Sequence, residues 1–282
     1  MKVIRSPKEM TREINSLSRK GRTIGFVPTM GCLHEGHLSL IRRAVKENDI
    51  TVVSIFVNPA QFGPKEDFKR YPRNFKRDKD RAGQTGADII FYPSIKSIYP
   101  RGYSTYVNIA NLSDSLCGNS RPGHFQGVVT IVTKLFNIVK PDKAYFGQKD
   151  AQQAIIIKQL VEDLNLDLKL IICPIVRDKS GLALSSRNRY LGPQERSDAK
   201  VLNISLQKAG KMIKSHIINP TLIKTAIRRE IKKVKSTRID YIEIVGLHNL
   251  KPVKKIKGRV LIALAIKIGK VRLIDNLICS VK

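Results

Sequence analysis

Through the first 178 residues, short β-branched and aliphatic runs alternate with stretches whose apolar positions recur every three or four residues. That alternation predicts strand-helix-strand units with helices packed on a parallel sheet. Strands are expected near 23–28, 50–57, 88–92, 143–146 and 168–176, and helices near 36–47, 75–85, 128–139 and 151–164. Beyond residue 188 the order changes to helical stretches at 194–215 and 222–234, followed by strands near 239–245, 260–268 and 271–277. The expected fold class is α/β: a Rossmann-like doubly wound parallel sheet over residues 1–178, then a smaller α+β C-terminal domain over 188–282, with 179–187 as a junction loop.

Composition narrows the function classes. With 282 residues, 42% of them hydrophobic, the chain can bury a full core, which excludes a disordered protein. The start, MKVIRSPKEM, lacks the charged, apolar and small-residue sections of a signal peptide, and apolar runs such as 261–266 are too short to span a bilayer. A cytoplasmic protein without a membrane partner is expected. Cys32, Cys117, Cys173 and Cys279 have no C-x-x-C spacing, so neither a zinc site nor a disulfide framework is indicated. The formal charge is +29, and residues 201–282 hold 19 Lys and Arg against 4 Asp and Glu. A polyanionic partner and a drift towards residues with AT-rich codons both account for it. No aromatic-rich stacking motif accompanies the charge, so nucleic acid is not the expected partner.

The chemistry sits in four segments. GFVPTMGCLHEGHLSLIRRA runs from a buried strand through a tight turn into a helix, the place where doubly wound folds bind nucleotides. Gly31 and Gly36 allow close approach of the backbone. His34 and His37, three residues apart, share one face of the first helical turn, where free N–H groups already favour phosphate. Imidazole N–H donors there suit the charge that adenylyl transfer builds on the α-phosphate and on the leaving pyrophosphate. No third ligand stands nearby in metal-binding spacing, so no protein-held metal is expected.

In SIFVNPAQFGPKEDFKRYPR, a strand ends in Asn58, Pro59 and Gln61, which puts an amide at the sheet's carboxyl edge; taken alone it reads equally as a turn residue. In RPGHFQGVVTIVTKLFNIVKPDKAYFGQKDAQQ, Lys149 suits a phosphate, Asp150 suits ribose hydroxyls and Gln153 projects from the following helical turn. Arg121 and His124 precede that segment's helix, placed to close over a substrate. RDKSGLALSSRNRYL offers the hydroxyls of Ser185 and Ser186 and the planar guanidinium of Arg187 to phosphate oxygens. Asp78 reads either as a carboxylate supporting the site from behind or, the preferred reading, as a solvated carboxylate on a helix.

PTMGCLHEGH resembles the ATP-binding signature of the pantothenate synthetases, within the wider H-x-G-H nucleotidyltransferase superfamily. VNP-x-QFG, FG-x-KD-x-QQ and GLA-x-SSRN follow in the family's order, and DYIEIVGLHNL and KVRLIDN extend a more diffuse likeness to the end of the chain. The resemblance implies catalytic roles for His34 and His37. It implies ATP contacts for Met30, Gly31, Cys32, Leu33, His34, Glu35, Gly36 and His37, for Gly147, Gln148, Lys149 and Asp150, and for Val176, Leu184, Ser185, Ser186 and Arg187. It further implies that Gln61 and Gln153 hold pantoate, with Gln61 bordering the β-alanine site. Two positions depart from the pattern: Gln126 stands where a basic residue often follows the HF pair, and Ser180 where an acidic or amide residue is commoner.

The implied reaction joins pantoate to β-alanine through a pantoyl adenylate, with ATP as a substrate accompanied by Mg2+ and no tightly bound cofactor. The implied partners are the small molecules ATP, pantoate and β-alanine, and a second copy of the chain in a homodimer. A nucleotidyltransferase that stops after joining AMP or CMP to a phosphorylated substrate would share the H-x-G-H turn, but VNP-x-QFG and FG-x-KD-x-QQ favour a bound hydroxy acid. An RNA-binding protein on an inactive synthetase-like fold is the alternative the charge suggests, and the intact phosphate constellation argues against it.

Overall fold

A computed structural model describes residues 1–64 and 66–281. Among them, six strands form a parallel sheet: β1 (Lys2–Ile4), β2 (Ile24–Thr29), β3 (Ile50–Ile55), β4 (Ile89–Phe91), β5 (Lys143–Gly147) and β6 (Lys169–Cys173), in the order β1-β4-β3-β2-β5-β6. The helices of this part are α1 (Pro7–Arg19), α2 (Glu35–Glu47), α3 (Phe75–Gln84), the single turns α4 (Ile95–Ile98) and α5 (Cys117–Ser120), α6 (His124–Val139) and α7 (Ala151–Asp163). β2 and β3 are almost wholly buried, as strands covered by helices on both faces must be. The near-continuous apolar run of α6 fits its place against the core, where Val128, Val129, Val132, Leu135 and Phe136 are buried.

The remaining elements are α8 (Pro193–Asp198), α9 (Val201–Lys214), α10 (Pro220–Lys232) and an antiparallel sheet of β7 (Thr237–Gly246), β8 (Gly258–Ile268) and β9 (Val271–Val281). The period of two along β8 joins the two parts of the molecule. Val260, Ile262, Leu264 and Ile266 face a core shared with α9 and α10, while Leu261 and Ala263 belong to the core of the parallel sheet.

The α/β class read from the sequence holds, and four details differ from the expected pattern. β1 and α1 were not expected. Ser6 caps α1, its Oγ accepting from the Glu9 amide, and Pro7 occupies the first turn, but the helix buries only Met10 and Ile14, too few to advertise it. α6 begins at His124, four residues before the first valine of its apolar run. The expected helix at 194–215 is two helices with a turn at 199–200; Glu195 accepts from the Gly192 amide at the start of α8, fixing it as a separate turn. β6 stops at Cys173 because Pro174 has no N–H to give the ladder. No described helix is long and apolar enough to cross a membrane.

Candidate active site

β2 pairs with β3 on one side and β5 on the other, and the chain proceeds outwards from this pair in opposite directions. A crevice therefore opens at the carboxyl ends of β2 and β5, where doubly wound sheets place ligands. The segment after β2 brings the two histidines there, and the segment after β5 brings Lys149 and Asp150.

The turn after β2 is built with care for its backbone. Thr29 Oγ1 donates to the Ser54 carbonyl (2.7 Å) and accepts from the Gly31 amide (3.1 Å). Gly31 and Cys32 are both left-handed, at φ 79° and 53°. The amides of Cys32 and Leu33 then donate to the two oxygens of Asp78, each at 2.8 Å, and Arg81 donates to the Leu33 carbonyl at 2.7 Å. Asp78 is only 2% exposed. The preferred reading of a solvated carboxylate is therefore wrong, and the alternative of a supporting carboxylate fits: burial forces it to find donors, and the strained turn supplies two. A Cβ at Gly31 would stand 2.9 Å from Asp78 Oδ2, so glycine is required there for space as well as conformation.

His34 is the N-cap of α2, and its amide donates to Nδ1 of His37 (3.3 Å). That contact assigns the His37 proton to Nε2, leaving an N–H donor available. The ring centroids lie 4.0 Å apart, and Nδ1 of His34 is buried with no partner among the described residues. Burial, with His34 and then Lys149 adding repulsion, holds His37 well below the ordinary histidine range. Burial and then Lys149 push His34 down to about 4. Both imidazoles are therefore neutral near pH 7, and each can offer a dipolar N–H beside the Lys149 ammonium.

The opposite wall comes from Gln61, α6 and the loop before α8. Asn58, 1% exposed, donates to Gln61 Oε1 (3.1 Å) and to the Gly127 carbonyl (3.0 Å), and accepts from Tyr99 Oη (2.8 Å). Gly127 lets α6 press on this turn; a Cβ there would collide with the Ala60 carbonyl. Nδ1 of His124 donates to the Gln61 carbonyl (2.9 Å) and its Nε2 accepts from Arg121 (2.8 Å). Burial, then Arg121, push His124 down to about 4. Ser185 Oγ accepts from the Arg187 amide, and Ser186 Oγ meets Tyr71 Oη at 3.3 Å.

Fourteen of the nineteen residues singled out in the sequence line one cleft of about 1450 Å³, among them His34, His37, Gln61, Lys149, Gln153 and Arg187. Five do not. Gly31, Cys32 and Leu33 form the turn beneath the cleft, Glu35 points outwards to Arg42, and Gln148 turns towards Asn276. An adjoining space of about 820 Å³ shares Lys149, Gln153 and Arg187 and is walled by Tyr241, Arg272 and Asn276 of the second part. Sequence reasoning missed Glu66 and Asp67. Glu66 accepts from Nε and Nη2 of Arg121 (2.6 and 2.7 Å), and Asp67 accepts from Nε and Nη2 of Arg187 (3.3 and 3.0 Å), so the loop after Gln61 engages two guanidinium groups of the cleft. Among the described residues, no three His, Cys, Asp or Glu converge as metal ligands.

The buried neutral histidines make stability sensitive to acid. Unfolded, they titrate near 6.5; folded, His34 and His124 titrate at about 4. Between those values the unfolded chain binds protons the folded chain does not, so stability rises with pH across the window and is lost as pH falls. Urea unfolding free energy is expected to drop between pH 7 and pH 4.5 by on the order of 2 kcal/mol for each of the two. The slope should be shallower in His124→Asn. A parent profile that is flat across this range contradicts the assignment.

A doubly wound sheet, an H-x-G-H helix start at its switch point, and lysine, arginine and serine groups around one cleft define an α/β enzyme of the H-x-G-H type. A sequence profile described as Pantoate-beta-alanine ligase matches residues 2–278. The pantothenate synthetase of Caldicellulosiruptor saccharolyticus is 54% identical over 281 residues, covering 100% of both chains. The crystal structure of pantothenate synthetase from Thermus thermophilus superposes with a TM-score of 0.93 at 40% identity, covering 98% of this chain and 99% of that one. Pantoate-beta-alanine ligase from Francisella tularensis, complexed with beta-gamma ATP and beta-alanine, gives 0.81 at 39% identity, with 98% and 97% covered. The chain belongs to the pantoate-beta-alanine ligase family, whose curated members named here are pantothenate synthetases.

Proposed function

We propose that the protein condenses (R)-pantoate with β-alanine in two half-reactions, using ATP. In the first, a pantoate carboxylate oxygen bonds to the α-phosphorus and pyrophosphate leaves, giving pantoyl adenylate. In the second, the β-alanine amine attacks the acyl carbon, AMP departs with the C–O bond electrons, and the amine loses a proton. No covalent enzyme nucleophile is needed. Positioning and charge stabilisation carry the rate.

His34 and His37 offer neutral donors to the α-phosphate oxygens, Lys149 neutralises phosphate charge, and Ser185 and Arg187 take the departing pyrophosphate. Gln61 and Gln153 hold the hydroxy acid. Asp67 engages Nε and Nη2 of Arg187, so Nη1 is the arm that Arg187 offers to pyrophosphate. The groups at the phosphate end are cationic or neutral, with Asp150 the carboxylate on the cleft wall, 50% exposed and 3.5 Å from Lys149. Such a donor set fits magnesium that arrives on ATP, held by phosphate oxygens and water. The observation that carries the reading is that the two histidines and Lys149 share one cleft with Gln61 and Gln153. That the Francisella tularensis relative was crystallised with an ATP species and beta-alanine supports the same substrate pair here.

The test is release of pyrophosphate and AMP from purified protein with ATP, magnesium and pantoate, with and without β-alanine. Sustained AMP release should require pantoate and β-alanine together. Pyrophosphate release indifferent to pantoate would overturn the substrate assignment.

A further inference from the structure

KVRLIDN places two buried polar residues next to each other on β9: Asp275 and Asn276, 2% and 4% exposed. Buried polar side chains need good partners, so where these two point is informative. Asn276 Nδ2 donates to the carbonyls of Gln148 (2.9 Å) and Lys149 (3.0 Å), and its Oδ1 accepts from Gln148 Nε2 (3.2 Å). Both ends of the amide are committed to the turn that carries Lys149. Asp275 accepts both arms of Arg177 (2.6 and 2.9 Å) and the Asn276 amide (2.8 Å). Arg177 in turn donates to the Gly181 carbonyl at 3.1 Å, inside the loop that leads to Ser185 and Arg187.

One pair of residues on one strand therefore ties down both active-site segments that leave β5 and β6. These contacts cross between the two parts of the molecule beside the 820 Å³ space, where a small shift of β9 would carry both segments with it. We infer that Asp275 and Asn276 are positioning residues for phosphate transfer: Asn276 fixes the turn from which Lys149 reaches the nucleotide, and Asp275 fixes the loop bearing Ser185 and Arg187. The C-terminal part thus acts on the reaction through the segments that carry Lys149 and Arg187. The inference rests on the proposed contact of Lys149 with ATP phosphate.

A double-mutant cycle between Asn276→Ala and Lys149→Ala tests it, read both as the Kd of a non-hydrolysable ATP analogue with magnesium and as pyrophosphate release. Asn276→Ala alone should lower kcat/KM for ATP about 10- to 100-fold and leave the KM for pantoate unchanged. In the Lys149→Ala background the same change should cost less than about threefold, since the group it positions is gone. Asn276→Ser keeps one donor and should fall between, and it enters the same cycle if the alanine protein does not fold. Equal losses in both backgrounds, or a loss of melting temperature with unchanged kcat/KM, would overturn the positioning role. If the parent binds the analogue but ignores pantoate, the proposed function fails and the binding cycle still decides this inference.

Discussion

Replacing His37 with alanine is expected to lower kcat for pyrophosphate release about 100- to 1000-fold, with the KM for ATP moving only a few-fold. The asymmetry follows from when the donor is needed. Charge on the α-phosphate oxygens and the leaving group grows as the phosphorus is attacked, so a fixed N–H aimed at them contributes more in the transition state than in the ground state. The proposed role rests on two features of His37: Nδ1 is occupied by the His34 amide, which leaves Nε2–H as its donor, and burial keeps the ring neutral. A neutral donor also predicts a pH profile. Because His37 titrates well below the ordinary range, kcat should show no histidine-like fall between about pH 8 and pH 6. Pre-steady-state pyrophosphate release is the direct measurement. An alanine variant within threefold of the parent would remove His37 from the transfer step.

The features legible in the sequence share one property: their signal is local. The buried strand, the turn and the His34–His37 spacing fall within about a dozen residues, so the segment declares its own geometry. The strand pattern around 50–55 and 143–147 likewise needs no knowledge of its neighbours. What stayed hidden depends on pairings across long chain separations. Glu66 meets Arg121 and Asp67 meets Arg187 across 55 and 120 positions, and nothing in QFGPKEDFKRYPR tells an acidic partner from a solvated charge. Asn276 reaches Gln148 across 128 positions. Asp78 is the sharpest case. It stands among Lys76, Arg77, Lys79 and Arg81 on α3, where composition argues for solvent, and only the packing of α3 beneath the turn buries it. The unexpected α1 was missed for a different reason, since two buried residues in thirteen give too narrow an apolar stripe to read as helix.

Asp78→Ala should damage both stability and rate, and the reason lies in the turn rather than in the substrate. Both carboxylate oxygens face backbone, accepting the amides of Cys32 and Leu33. Removing them leaves the buried Leu33 amide and the half-buried Cys32 amide without their acceptors, at about 1–3 kcal/mol for the buried one and less for the other, so a loss of about 2–4 kcal/mol in unfolding free energy is expected. Cys32 is also left-handed without being glycine, a conformation that costs of order 1 kcal/mol and persists only while its surroundings enforce it. Once released, the turn has reason to relax, and it carries the start of α2 with both histidines. A displacement of about 1 Å there is enough for a roughly 100-fold fall in kcat. Asp78→Asn separates the contributions: its oxygen still accepts one amide, but its NH2 confronts the other, donor against donor. The asparagine variant should therefore recover only part of the stability and of the rate, despite near-identical volume. Urea unfolding and pyrophosphate release on the two variants check this together. A parent-like rate in a destabilised Asp78→Ala protein would mean that the histidines are held by α2 alone, and the buried carboxylate would then serve the fold without setting the chemistry.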